Sequence, residues 1–194
     1  MWDARYTDPG YVFGTEPNGF LRSVAGRIPK GAALCLGDGE GRNGVFLAEQ
    51  GFAVTSMDAS AVGLRKAAQL AQARGVALAT AVADLADYTI APAAWEGIVS
   101  IYVHLPPPLR RQVHRAAAAG LKPGGVFVLE AYTPAQLAYG TGGPASAEVL
   151  MTLDLLREDL AGLTFEVAQE LERDVIEGQL HTGRAAVVQV LARK

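Results

Sequence analysis

Cysteine, histidine and basic charge are all scarce in this chain, long apolar runs are absent, and each shortage removes a class of protein. A single cysteine, Cys35, leaves no intrachain disulfide to form. Set in an apolar run, it reads as core packing. The three histidines, His104, His114 and His181, are far apart and lack paired Cys, Asp or Glu spacing, so they make no zinc site. Lys plus Arg is 17 against 20 for Asp plus Glu, and the net charge of −3 argues against a dedicated nucleic-acid binder. No apolar run reaches ~18 residues, so no membrane span is expected. The opening Met1-Trp2-Asp3-Ala4-Arg5 is not the basic-then-apolar start of a secretory signal. These exclusions make a soluble cytoplasmic domain the starting point.

With 194 residues, 50% of them hydrophobic and 19% charged, the chain can bury a sizeable core as one domain. The predicted organisation is a cap segment over 1–30 and an α/β core over 31–194. Strand-like and helix-like segments alternate through the core. Ala33 to Leu36 is a short apolar run, followed by a helical pattern from about Asn43 to Gln50 that Gly51 stops. Phe52 to Met57 is a second strand, and Ser60 can cap a helix running to about Arg74. Val76–Val82, Ile98–Val103 and Val126–Tyr132 are the next strands. Pro106-Pro107-Pro108 opens a helix that ends near Gly120. Strands separated by helices indicate βαβ units and a mostly parallel, doubly wound sheet. A helix from about Thr152 to Leu160 precedes two β-like runs, Thr164–Val175 and Arg184–Ala192. No crossover helix fits between those runs, so they are predicted to form an antiparallel hairpin at one edge of the sheet.

The loop Gly37-Asp38-Gly39-Glu40-Gly41-Arg42-Asn43-Gly44 sits between the first strand and the first helix of the core. Glycines there let the backbone turn sharply and let a ligand come close. In an open parallel sheet, ligands bind beyond the carboxyl ends of the strands. Asp58, about twenty residues on at the end of the next strand, can accept hydrogen bonds from ribose hydroxyls. Asp84, after the third strand, can receive an adenine amino group. Together these three features describe an adenosine site. Gly39, Gly41 and Gly44 also satisfy the dinucleotide pattern, so a nicotinamide cofactor is the alternative. Asp38 and Glu40 inside the loop would repel a pyrophosphate. They would not repel S-adenosylmethionine, which carries an ammonium and a sulfonium and no phosphate.

With its glycine loop, Asp58, Asp84, Leu121-Lys122-Pro123-Gly124-Gly125 and closing hairpin, the chain resembles the class I S-adenosylmethionine-dependent methyltransferases, whose fold is Rossmann-like. Trp2-Asp3-Ala4-Arg5-Tyr6 and Tyr11-Val12-Phe13-Gly14-Thr15-Glu16-Pro17-Asn18 make it similar to the small bacterial methyltransferases of the tellurite-resistance and thiopurine type. The family pattern places an acid two residues before the first loop glycine; this chain has Cys35 there, and its acids are Asp38 and Glu40. The resemblance implies S-adenosylmethionine as cofactor and a small-molecule methyl acceptor, with thiols, selenium or tellurium oxyanions and small heterocycles as the acceptor classes. It implies a cofactor site made by Gly37, Asp38, Gly39, Glu40, Gly41 and Asn43 of the loop. Asp58, Ala59, Asp84, Leu85 and Ser100, at later strand ends, complete that site. A binding protein without catalysis is the reading from outside enzymology.

Methyl transfer from a sulfonium needs mainly a nucleophile held ~3–3.5 Å from the methyl carbon and in line with it. A clear catalytic triad is therefore not required. His104, after the fourth strand, and His181, in the terminal hairpin, are the candidate catalytic residues, each with a packing role as the alternative. His114 is expected to be an exposed helix residue. Residues 132–144 read as either a substrate-covering loop or a solvated connector. Trp2, Tyr6, Tyr11 and Phe13 either close over the cofactor or pack a flank of the sheet.

Overall fold

A computed structural model describes residues 2–178 and 181–194; Met1, Gln179 and Leu180 lie outside the described residues. Two short helices, α1 (Trp2–Arg5) and α2 (Gly19–Val24), come first. The chain then runs β1 (Ala32–Leu36), α3 (Arg42–Glu49), β2 (Ala53–Asp58), α4 (Ala61–Ala73) and β3 (Ala79–Val82). Next come β4 (Trp95–Ile101), α5 (Pro107–Gly120), β5 (Leu121–Tyr132), α6 (Leu153–Asp159), β6 (Thr164–Glu177) and β7 (His181–Arg193).

The seven strands form one sheet in the order β3-β2-β1-β4-β5-β7-β6. The first five in chain order are parallel, β7 is antiparallel to β5, and β6 is antiparallel to β7. This is the mostly parallel sheet with a closing hairpin that the sequence predicts. β6 therefore runs parallel to β5, and the far end of the hairpin reaches the carboxyl face of the sheet. The chain winds outward from β1 to β3 and then crosses back to β4. The β1/β4 boundary is thus a topological switch point, where the loops diverge and leave a crevice.

Both faces of the sheet are covered. One buries Leu34, Ile98, Phe127, Leu129 and Val190 against Val113 and Ala117 of α5 and Leu156 of α6. The other buries Ala33, Cys35, Val54, Val99 and Val128 against Phe20 and Leu21 of α2 and Leu47 of α3. Cys35 is core packing, as expected. Helix starts follow local chemistry: Ser60 accepts from the Gly63 amide to cap α4, and Thr152 accepts from the Leu155 amide to cap α6.

Some boundaries differ from the sequence reading. β3 starts at Ala79 rather than Val76, because the Gly75 and Val76 amides are spent closing α4, on Gln72 and Ala71 carbonyls. β5 starts at Leu121, its glycines being absorbed where the pairing with β4 shifts register between Trp95 and Gly97. His114 corrects the expectation of an exposed residue: it is 2% exposed. Its Nδ1 lies 3.0 Å from Asp159, which also takes Arg110 Nε at 2.7 Å. The three side chains pin α6 to α5. Against the effect of burial, the bonds from His114 and Arg110 hold the Asp159 carboxyl below the usual range.

Candidate active site

A cavity of about 580 Å³ opens at the carboxyl ends of β1, β2, β3 and β4. Its floor at the switch point is tight. A Cβ on Gly37, whose φ is +57°, would lie 2.9 Å from the Val103 side chain, so the turn after β1 and the turn after β4 meet as closely as glycine allows. Gly37, Asp38, Glu40, Asn43, Asp58, Ala59, Asp84 and Leu85 line the cavity, as do His104 and His181. Gly39, Gly41 and Ser100 do not. Gly39 faces the Tyr6 hydroxyl, Gly41 packs on Ala67 of α4, and Ser100 is buried within β4.

The two loop acids correct the charge argument made from sequence. They are built into the loop rather than free to face a ligand. Asp38 accepts the Ser56 hydroxyl at 2.5 Å and the Gly44 amide at 3.2 Å. Burial raises its pKa to about 6 in spite of those bonds. Glu40 accepts the Val12 amide at 2.8 Å and pairs with Lys66 at 2.7 Å. Asp58 accepts the Gly39 amide at 2.9 Å and the Ser60 amide at 2.7 Å. A carboxylate offers about four acceptor positions, so two remain for hydroxyls from the cavity. Burial raises the Asp58 pKa. Asp84 lies two residues beyond β3, exposed at the far end of the same cavity.

The opposite end is walled by aromatic rings. The His181 ring is 4.6 Å from Phe13, 4.6 Å from Tyr102 and 5.6 Å from Tyr132. The Tyr102 and Tyr132 rings stack at 4.6 Å. Residues 132–144 are divided: Pro134, Ala135, Leu137 and Ala138 are exposed to solvent, while the far end of the segment borders this box. Gln136 is buried and bonds Thr141, the Gly142 carbonyl and the Ala186 amide. Gly142, Gly143 and Pro144 line the cavity, and a Cβ on Gly143 would stand 2.7 Å from the Tyr132 ring. Of the N-terminal aromatics, Trp2, Tyr6 and Phe13 line the cavity. Tyr11 instead packs toward Val45 and Leu70.

Beneath the box lies a buried polar network that the sequence reading missed. Glu130 is fully buried and accepts Tyr102 Oη at 2.6 Å, Asn18 Nδ2 at 3.1 Å, and bonds from Arg173 and Gln189. Glu177 accepts Asn18 Nδ2 and Arg173, each at 2.9 Å. Arg42 Nη1 lies 2.7 Å from Glu177, though without hydrogen-bond alignment. Against burial, Arg42 and Arg173 hold the Glu177 carboxyl below its usual range. One signal was legible: Glu130 is the lone charge in the otherwise apolar stretch Val126–Tyr132, and a charge is almost never buried unpaired.

The two candidate histidines differ. Both ring nitrogens of His104 engage the backbone, Nδ1 at 3.1 Å from the Tyr102 carbonyl and Nε2 at 3.0 Å from the Tyr132 amide. No lone pair is left for a substrate. His181 Nδ1 is buried with no hydrogen-bond partner among the described residues. Burial lowers the pKa of each ring to about 4, and Arg42 adds to the effect at His181. This predicts a pH dependence of stability. An unfolded histidine titrates near ~6.5. Below that, the unfolded chain binds a proton that the folded chain does not, so stability is complete above pH ~6.5 and falls as pH drops toward 4. The slope is roughly 1.4 kcal/mol per pH unit for each histidine. Asp38, with its raised pKa, acts in the opposite sense, losing stability as pH rises from ~3.8 toward 6. Denaturant melts of wild type and His181→Phe between pH 5 and 6.5 isolate the histidine: their slopes should differ by about one proton. Identical slopes would show that His181 is not held at a low pKa.

Comparison with known proteins agrees with this geometry. Residues 33–125 match the methyltransferase domain family. No curated protein matches the sequence. Among solved structures, one from work on the conversion of a disulfide bond into a thioacetal group during echinomycin biosynthesis has a TM-score of 0.79 at 21% identity, covering 100% of this chain and 90% of that one. TehB from Haemophilus influenzae gives 0.75 at 19% identity, covering 91% of this chain and 62% of its own. The N-methyltransferase NodS from Bradyrhizobium japonicum gives 0.67 at 17%, covering 90% and 92%. At these identities the structures establish the fold alone. Residues 33–125 therefore match a methyltransferase domain, in a chain that shares its fold with these solved structures.

Proposed function

We propose that this protein methylates a small molecule held in the aromatic box of Phe13, Tyr102, Tyr132 and His181, with the cofactor lying along the ends of β1, β2 and β3. The observation that carries the reading is that one cavity joins the glycine loop, Asp58 and Asp84 to that box. At about 580 Å³ it falls within the range of small-molecule sites, roughly 300–1,000 Å³. In this reading Asp58 holds the ribose hydroxyls through its two open acceptor positions. Asp84 and Leu85 border the adenine, and the turn from Gly37 to Asn43 borders the methionine part. S-adenosylmethionine, when bound, supplies a methyl group already activated by its sulfonium.

The protein's own contribution is orientation. With a pKa of about 4, His181 is neutral at pH 7 and can accept a hydrogen bond from an acceptor O–H, N–H or S–H. It is too weak a base to remove a strongly held proton, because base catalysis is most effective when the pKa lies near the working pH. Of the two histidines singled out from sequence, His181 is the one with ring nitrogen capacity to spare. Acting on a small molecule rather than on nucleic acid is part of the same proposal, supported by the net charge of −3, and so is a cytoplasmic location.

Calorimetry with S-adenosylmethionine, S-adenosylhomocysteine and NADH in parallel tests the cofactor. S-adenosylhomocysteine is expected to bind and NADH is not; comparable affinities would overturn the reading. Labelled methyl transfer to a panel of thiols, oxyanions and heterocycles tests the rest. Binding without turnover on any of them would favour a non-catalytic binding protein.

A further inference from the structure

We propose that His104 is a positioning residue, a wedge that takes the place of one ladder hydrogen bond between β4 and β5 and thereby turns Tyr102 into the aromatic box. Its role in methyl transfer rests on the function proposed above; the wedge itself does not.

The argument starts from the ladder. In a parallel pair, one residue of a strand donates to and accepts from two residues on its neighbour that flank a common partner. Ile101 is paired with Glu130, and the Tyr102 amide donates to the Glu130 carbonyl at 2.8 Å. A regular ladder would continue with the Tyr132 amide donating to the Tyr102 carbonyl. That bond is replaced by the His104 ring. Nδ1 stands 3.1 Å from the Tyr102 carbonyl and Nε2 stands 3.0 Å from the Tyr132 amide. A carbonyl only accepts and a backbone amide only donates. The proton is therefore on Nδ1, and Nε2 accepts. The ring also stacks on Tyr132, 5.7 Å between centroids and 11° between planes.

The consequence falls on Tyr102. Its φ is +56°, a left-handed conformation disfavoured for a residue with a Cβ. In that conformation its carbonyl meets His104, its hydroxyl reaches Glu130 at 2.6 Å, and its ring stands 4.6 Å from both Tyr132 and His181. Without the imidazole, the Tyr132 amide and Tyr102 carbonyl can pair directly once Tyr102 returns to an extended backbone. Its ring then leaves the box and water reaches His181. The groups acting on His181 are Arg42, Glu177, His104 and Arg5. Apart from burial, His104 feels only the Tyr102 carbonyl.

The experiment is NMR on the ¹⁵N-labelled 194-residue chain, as wild type, His104→Ala and His104→Gln. Glutamine carries one donor and one acceptor at its tip, so it can bridge the same two backbone groups; alanine cannot. Wild type should show the neutral Nδ1–H form of His104, a slowly exchanging Tyr132 amide and a His181 titration near pH 4. In His104→Ala, the Tyr102 HN–Hα coupling should rise to that of an extended residue and the His181 midpoint should move toward that of a free histidine. In His104→Gln both should stay close to wild type. A wild-type ring protonated on Nε2, or a His181 midpoint that is the same in all three proteins, would overturn the proposal. So would a folded glutamine variant that behaves like the alanine one. If the alanine variant fails to fold, the wild-type tautomer and the glutamine variant still decide. S-adenosylhomocysteine titrated into the wild type keeps the two ideas apart: absence of binding would sink the methyltransferase reading and leave the wedge standing.

Discussion

Deleting residues 1–13 is expected to abolish methyl transfer while leaving the sheet folded. The deleted arm contributes Trp2, Tyr6 and Phe13 to the cavity and covers it from the side of the glycine loop. It is held from outside the sheet. Lys66 of α4 donates to the Asp8 carbonyl at 2.5 Å, the Gly10 carbonyl at 2.6 Å and Glu40 at 2.7 Å. Glu40 in turn receives the Val12 amide, and Asp3 receives the Ser60 hydroxyl at 2.5 Å. The two large hydrophobic clusters include no residue before Phe20, so the core survives the deletion. Turnover does not, because Phe13 is one wall around His181, and a misplacement of about 1 Å can already cost about 100-fold in rate. Single-turnover methyl transfer beside a thermal melt checks both halves. Full activity after truncation would mean that the arm only packs. Lys66→Met paired with Glu40→Gln is the subtler variant. It removes the latch without stranding a buried carboxylate, and it should speed the release of S-adenosylhomocysteine.

Asp58→Ala should weaken S-adenosylhomocysteine binding by more than it weakens folding. Hydrogen bonds to a charged acceptor contribute about 1.5–3 kcal/mol, which corresponds to roughly ten- to hundredfold in affinity. The structure adds a second route to the same loss. Asp58 also receives the Gly39 and Ser60 amides, so its removal loosens the glycine loop and the start of α4 together. Asp58→Asn separates the two effects, since its amide oxygen can still take a backbone N–H while the charge is gone. The alanine variant should lose affinity by calorimetry, with the asparagine variant between it and wild type. An unchanged dissociation constant for alanine would show that Asp58 does not hold the ribose.

Much of this protein could be read along the chain. Alternating strand and helix patterns, the capping residue Ser60, the helix start near Thr152 and the terminal pair of β-runs predicted the sheet and its hairpin. These signals are local: a hydrophobic period, a cap or a glycine stop is written within a few residues. The glycine loop and Asp58 were visible for a related reason. In a parallel sheet every strand end faces the same crevice, so reading strand ends in order lists what meets there.

The errors and omissions share one cause. His114 looked exposed because it follows Arg111 by three residues in a helix, and only the packing of α6 on α5 brings Asp159 beside it. Asp38 and Glu40 looked like charges offered to a ligand, yet their partners, Ser56 and Lys66, lie 18 and 26 residues away in the chain. His104 looked catalytic because it follows a strand, and its geometry depends on Tyr132, 28 residues on. By itself the sequence determined which segments form strands and helices, which loop can approach a ligand, and that the strand ends gather in one crevice. The tertiary structure alone decided which of those side chains face the cavity and which are spent on neighbours. A residue's local pattern is set by its own few neighbours, whereas hydrogen-bond partners and burial are set by which distant strands the topology makes adjacent.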